Sequence, residues 1–216
     1  MCEEFRDHLE KLYNPDKVEA VDFSDVQPNI SIPLLDSPID PIEVEKVLHH
    51  DIKPNKGCGP DGVPPGLLSM LPVTWIVSLA TLFNIVFHDG FPHSWAYARL
   101  VMLFKKGRPD SCDNYRGISM LNSLAKVYDY VLYRRFTLWF TPSREQAGAQ
   151  QGRGCIEHIV SLRLLMDYSV AKKCKLYIVF IDFSKAYDRL PRDKLMMTLK
   201  RLGCGAVMLF ALMSMQ

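Results

Sequence analysis

At 216 residues with 48% hydrophobic and 23% charged content, the chain can bury one sizeable core and lies outside the low-hydrophobicity class that stays disordered. The net charge of +2 is too mild to argue for a polyanion partner, but it is unevenly spread: residues 1–51 hold 4 Lys+Arg against 13 Asp+Glu, net −9, and the remainder 22 against 11, net +11. A basic body behind an acidic leader fits a polyanion-binding domain, with ordinary surface variation as the alternative. Six cysteines, at 2, 58, 112, 155, 174 and 204, show neither CxxC pairing nor metal-ligand spacing, which reads as reduced thiols in a cytoplasmic or nuclear protein. The acidic start MCEEFRDHLE lacks the apolar run of a signal peptide.

Phe5, Leu9 and Leu12 have helical spacing, then Asn14-Pro15-Asp16 opens a loose acidic stretch, so residues 1–36 are expected to form an acidic linker. Ser37-Pro38-Ile39-Asp40-Pro41 before Val44, Val47 and Leu48 is a helix-start signature. Gly57 to Gly66 is a glycine- and proline-rich loop. It formally contains GxGxxG, but a helix precedes it and Pro60 interrupts it, which excludes a dinucleotide fingerprint. Leu67 to Phe87 carries no charge and is long enough to span a bilayer; Ser69, Pro72, Thr74, Ser78, Thr81 and Asn84 make it a buried helix instead, so no membrane partner is expected.

Arg99 to Lys105 and Tyr115 to Met120 read as two strands of a hairpin around Lys106-Gly107-Arg108-Pro109-Asp110. Arg99 and Lys105 are an even number of positions apart and therefore share a face. Helical spacing returns in Leu124, Val127, Val131, Leu132 and Phe136, and again in Ile159, Leu162, Leu165 and Met166 after a Gly/Gln loop at Gln146 to Gly154. The run KLYIVFIDFSKAYDRL, Lys175 to Leu190, is apolar on both faces up to a single aspartate, so Leu176 to Asp182 is expected to be a central strand with Asp182 at its end. A buried carboxylate there needs a cation or a partner, which makes it a natural metal ligand, a turn or cap role being the alternative. Asp188 is about 20 Å away along a strand or about 9 Å along a helix, too far to share a metal; it is expected to cap a helix starting near Pro191.

The stretch D-F-S-K-A-Y-D resembles motif A of reverse transcriptases, especially the non-LTR (LINE-type) retrotransposon group. Asn55 to Pro64 resembles the N-K-x-x-G-P-D-G-[IV]-P segment that opens the fingers of that group. LFKKG and NYRGIS are similar to its motifs 1 and 2, and Gln146 to Arg153 to its Q-x-G-F-R-x-G-R segment, with Ala149 and Gln150 departing from the usual aromatic and basic residues. The resemblance spans roughly 42–203 and implies an α+β partial right-hand polymerase: fingers-like helices with a β-hairpin over 37–170, and the first strand and helix of a palm over 171–216. It implies catalysis at Asp182, with magnesium held by Asp182 and the Phe183 carbonyl. Arg99, Lys105 and Arg116 would grip the triphosphate, Tyr187 would lie under the sugar and disfavour a 2′-hydroxyl, and Gln146, Gly148 and Arg153 would contact template. Core packing is the alternative for Tyr187, and a solvated basic rim for the hairpin. The implied function is RNA-directed DNA polymerisation by two-metal nucleotidyl transfer on an RNA template, a DNA primer and deoxynucleoside triphosphates. No Y/F-x-D-D carboxylate pair occurs before residue 216, so the chain alone is expected to be inactive and to self-associate through an incomplete palm. A nucleic-acid-binding remnant without catalysis is the alternative.

Overall fold

One helix starts where its local chemistry puts it. Asp40 caps the helix over Pro41–His50: its carboxylate accepts the Ile42 N–H at 2.7 Å, while Glu43 reaches back to the Asp40 N–H at 2.9 Å. The computed structural model describes residues 2–13, 30–183, 186–187 and 190–215. The acidic stretch from Asn14 and the expected cap Asp188 lie outside them. Two compact units result, Met1–Trp139 with Tyr187–Gln216, and Phe140–Ala186.

The first unit comprises α1 (Cys2–Tyr13), α2 (Pro33–Asp36), α3 (Pro41–His50), α4 (Pro65–Leu68), α5 (Val73–Asp89), β1 (Ala98–Phe104), β2 (Tyr115–Leu121) and α6 (Ser123–Trp139), followed by two helices beyond residue 187. The helices α3, α5 and α6 pack through Val44, Val47, Phe83, Phe87, Val127 and Val131, all fully or nearly fully buried. Apolar side chains repeat every three or four positions along α5, which turns Ile76, Leu79, Phe83 and Val86 inward. Among the described residues no helix is long and apolar enough to cross a membrane.

Between α5 and α6 the chain runs out as the expected hairpin. The strands β1 and β2 pair antiparallel from Ala98↔Leu121 to Phe104↔Tyr115, and the Lys105 N–H extends the ladder to the Asn114 carbonyl at 2.8 Å. Among the described residues they form a two-stranded sheet.

The second unit holds α7 (Cys155–Lys172), preceded by turns and followed by a segment without regular secondary structure. Its helix forms as the periodicity predicts, yet the stripe does not become a core: Ile159, Leu165 and Met166 remain exposed. In the first unit, α8 (Arg192–Arg201) begins after Pro191, which occupies the N-cap position without a side-chain cap, and α9 (Ala206–Ser214) packs on α5 and α2.

The central strand expected over Leu176–Asp182 does not form: residues 174–183 have no regular secondary structure and their side chains are exposed, Phe180 at 83%. The reason is physical. A helix satisfies its backbone groups within its own sequence, whereas a strand needs a neighbour to receive its N–H and C=O groups, and among the described residues none pairs with this segment. Asp182 is accordingly exposed instead of buried at a strand end.

Candidate functional site

Antiparallel pairing puts directly opposed residues on the same face of the ribbon. Arg99 opposes Met120 and Leu103 opposes Arg116, so Arg99, Val101, Leu103, Arg116 and Ile118 share one face, and strand parity carries Lys105 onto it. All five of these strand residues are exposed, as is Lys105. Among the described residues, the cationic groups of Arg99, Lys105 and Arg116 have no hydrogen bond or ion pair with protein. Three charges are thus presented around an apolar strip of Val101, Leu103 and Ile118.

On the opposite face, aromatic rings meet near the tip. Phe104 lies 5.3 Å from Tyr115 between ring centroids, and Phe5 of α1 meets Tyr115 edge-on at 5.0 Å. The tip between the strands is held by its own bonds: the Arg108 guanidinium donates twice to the Asp110 carboxylate, at 3.2 and 2.6 Å, Asn114 Nδ2 donates to the Arg108 carbonyl, and the Tyr115 hydroxyl donates to the Pro109 carbonyl. Gly107 has φ 97°, a left-handed turn position closed to most side chains. Sequence reasoning missed the α1 contact because Phe5 and Tyr115 are brought together only by the fold.

In the second unit, Arg153 is engaged inside its own loop. Its guanidinium donates to Glu157 Oε2 at 3.0 Å, to the Arg144 carbonyl at 2.6 Å and to the Gln146 carbonyl at 3.3 Å. The hydrogen bond from Arg153 holds the Glu157 carboxyl below its ordinary range. Gln146 Nε2 donates to the Gly148 carbonyl at 3.2 Å, and Gln150 Nε2 donates to the Gln146 carbonyl. These residues therefore shape the loop, while Gly148 and Gly152 have open space around them. Gln150, which departs from the family pattern, turns out to be one of the loop's staples.

Asp182 and Phe183 belong to the second unit and Tyr187 to the first. Tyr187 is 94% exposed and makes no core contact among the described residues. Among the described residues no group of three or more His, Cys, Asp or Glu side chains could hold a metal ion. The donor chemistry of Asp182 and the Phe183 carbonyl nonetheless suits magnesium, a hard cation that takes one or two carboxylates and fills its other positions with water and substrate phosphates.

Comparison with known proteins adds descent to this geometry. Residues 104–215 match the family described as Reverse transcriptase (RNA-dependent DNA polymerase). The chain is 30% identical over 210 residues to the probable RNA-directed DNA polymerase from transposon BS of Drosophila melanogaster, covering 92% of this chain and 23% of that protein. It is 28% identical over 173 residues to the RNA-directed DNA polymerase from mobile element jockey of Drosophila funebris, covering 76% and 19%. Against the Retrovirus-related Pol polyprotein from type-2 retrotransposable element R2DM of Drosophila melanogaster, identity is 26% over 145 residues, covering 67% and 14%. The chain belongs to the reverse transcriptase family, within its non-LTR retrotransposon group. It spans less than a quarter of the length of these relatives.

Proposed function

We propose that this chain serves RNA-directed DNA synthesis and that the outward face of the ribbon grips the triphosphate of the incoming deoxynucleotide. The observation that carries this is the placement of Arg99, Lys105 and Arg116 on one exposed face with no protein partner among the described residues. A triphosphate carries closely spaced negative charge, and cations without internal partners reach it at no cost in broken ion pairs. Residues 37–170 act as fingers and 171–216 as the start of a palm.

Asp182 and the Phe183 carbonyl would hold magnesium, which when bound neutralises charge on the reacting phosphates in two-metal transfer. Tyr187, exposed among the described residues, would lie beneath the sugar and reject a 2′-hydroxyl. Gln146, Gly148 and Arg153 present a pre-shaped loop to the RNA template, contacting it through the loop's backbone and open glycine surface. The chain by itself does not polymerise, since one carboxylate is a poor anchor for two metals.

The test is primer extension on an RNA template with magnesium. The 216-residue chain is expected to incorporate nothing. In a polymerase carrying this segment, Lys105→Ala and Arg116→Ala are expected to raise KM for deoxynucleotide, and Asp182→Asn to abolish synthesis. An unchanged KM in both ribbon variants overturns the grip, and synthesis by Asp182→Asn overturns the metal assignment.

A further inference from the structure

The glycine-rich loop over Gly57–Pro64 received no role above, and its contacts supply one. A two-stranded ribbon is marginal alone, and among the described residues β1 and β2 have no third strand, so beyond the Phe5 contact the aim of the ribbon depends on how its base is fixed to the helical core. At that base, Asn122 joins the end of β2 to the start of α6. Its Oδ1 accepts the Asp61 N–H at 3.0 Å, and its Nδ2 donates to the Ser94 carbonyl at 3.0 Å, just before the chain enters β1. The Asp61 carboxylate returns the contact, accepting the Ser123 N–H at 2.6 Å and the Val63 N–H at 3.3 Å, and the Ser123 hydroxyl donates to the Val63 carbonyl at 2.6 Å.

These bonds close a knot between three segments: the loop, the entry to β1 and the exit from β2. Asn122 and Ser123 are buried, which places the inner side of the knot in the core, while Asp61 lies at its exposed rim. The Asp61 carboxylate also serves an orphan N–H in the first turn of α6, which couples the knot to a core helix. The approach is too close for any side chain at Gly59, where a Cβ would stand 2.2 Å from the Leu121 carbonyl oxygen and 2.7 Å from the Asn122 nitrogen. Gly62 takes φ +64° to return the chain. The loop chemistry is therefore spent on a backbone joint.

We infer that Asp61 and Asn122 are positioning residues: together they lock the base of the ribbon and so aim Arg99, Lys105 and Arg116 at the triphosphate. The functional half of this inference rests on the grip proposed above. The structural half, a fixed ribbon angle, does not. Loosening the knot leaves all three cations in place and makes binding supply the order that the knot now provides in advance.

The test uses the 216-residue chain carrying nitroxides at Arg108→Cys on the tip and Ser78→Cys on α5, with the native cysteines replaced. Electron–electron resonance reads the distance distribution, near-ultraviolet circular dichroism reads the fold, and anisotropy of fluorescent dATP in magnesium reads affinity. Asp61→Ala and Asn122→Ala are expected to broaden the distribution with the core spectrum retained, and to weaken dATP binding about three- to tenfold. If Asp61→Ala does not fold, Asp61→Asn, which keeps one acceptor oxygen, makes the same comparison. A distribution as narrow as that of the parent overturns the inference. So does unchanged dATP affinity in Asp61→Ala and Asn122→Ala when Lys105→Ala and Arg116→Ala weaken it. Broadening with dATP affinity that even Lys105→Ala and Arg116→Ala leave unchanged refutes the grip and supports the lock.

Discussion

Arg135 offers the sharpest test of how the helical core is held. Its side chain is 4% exposed on α6, and all five of its N–H donors are matched. Nε and Nη2 bond both oxygens of Glu43 at 2.8 and 2.6 Å; Nη1 donates to the carbonyls of Leu35 and Ser37, and Nη2 also donates to the Pro38 carbonyl at 2.9 Å. The guanidinium further lies 5.6 Å from the centre of the Phe87 ring. One cation thus ties α6 to the α2–α3 connection. Replacing it with Ala leaves a half-buried carboxylate and three carbonyls without their donor, a cost of about 3–5 kcal/mol by analogy with broken buried pairs. Against a typical stability of roughly 5–15 kcal/mol this is about a fifth or more of the total.

The assay is urea unfolding followed by tryptophan fluorescence, because Trp95 packs against Phe83, Phe91 and Tyr128 and reports this core. Arg135→Lys should recover only part of the loss, since an ammonium cannot present the planar fork that meets Glu43 and the carbonyls together. The pH dependence gives an independent check. Burial pushes the Glu43 carboxyl up, but the hydrogen bonds from Arg135 and the Asp40 N–H, with the Arg135 charge, outweigh it and hold the group below its ordinary value. A depressed folded pKa contributes stability that is present above the ordinary carboxylate value and lost as pH falls through the folded one. The parent should therefore lose stability more steeply than Arg135→Ala below about pH 4.5. A loss under 1 kcal/mol in Arg135→Ala, or equal acid slopes, would refute the reasoning.

Other consequences follow from the same contacts. Asp36 accepts the N–H groups of Ile32, Val207 and Met208 at 2.8, 3.1 and 3.0 Å and so caps α9 from α2; Asp36→Ala should cost about 1–2 kcal/mol in urea unfolding, and Asp36→Asn less. Among the described residues the buried Oδ1 of Asp129 has no hydrogen-bond partner, and burial, only partly offset by Lys126, raises its carboxyl to about 6. The folded state then holds that proton more tightly than the unfolded one, so stability should rise as pH falls from about 6 to about 4, and Asp129→Asn should remove this slope and stabilise the protein at pH 7. Lys105→Ala and Arg116→Ala should change stability by no more than about 0.5 kcal/mol, since both side chains are exposed; unfolding of either would contradict the placement of the ribbon face. The exposed run Leu176–Phe183 should drive concentration-dependent association in sedimentation velocity, relieved by Val179→Lys; a monomer at tens of micromolar without hydrophobic-dye binding would refute this.

Much was legible before the fold because it depends on neighbours in sequence. Asp40, Pro41 and Glu43 specify a helix start among themselves, and the alternation from Arg99 to Lys105 specifies which cations share a face once a hairpin forms. The family could be read from residues 55–64 and 182–188 for a related reason, since short ordered motifs survive in sequence whatever their neighbours do. What the sequence concealed are the interactions made at a distance. Residues 206–214 are so uniformly apolar that they show no helical period, and α9 owes its start to an aspartate on α2. Arg135 sits between Arg134 and Phe136 like any surface cation, and only the convergence of three carbonyls and Glu43 makes it a core residue. Leu176 to Asp182 is the converse case. Its composition is that of a buried strand, but a strand's hydrogen bonds belong to its partners, so pattern alone could state a capacity for pairing and tertiary structure decided that the segment stands unpaired among the described residues.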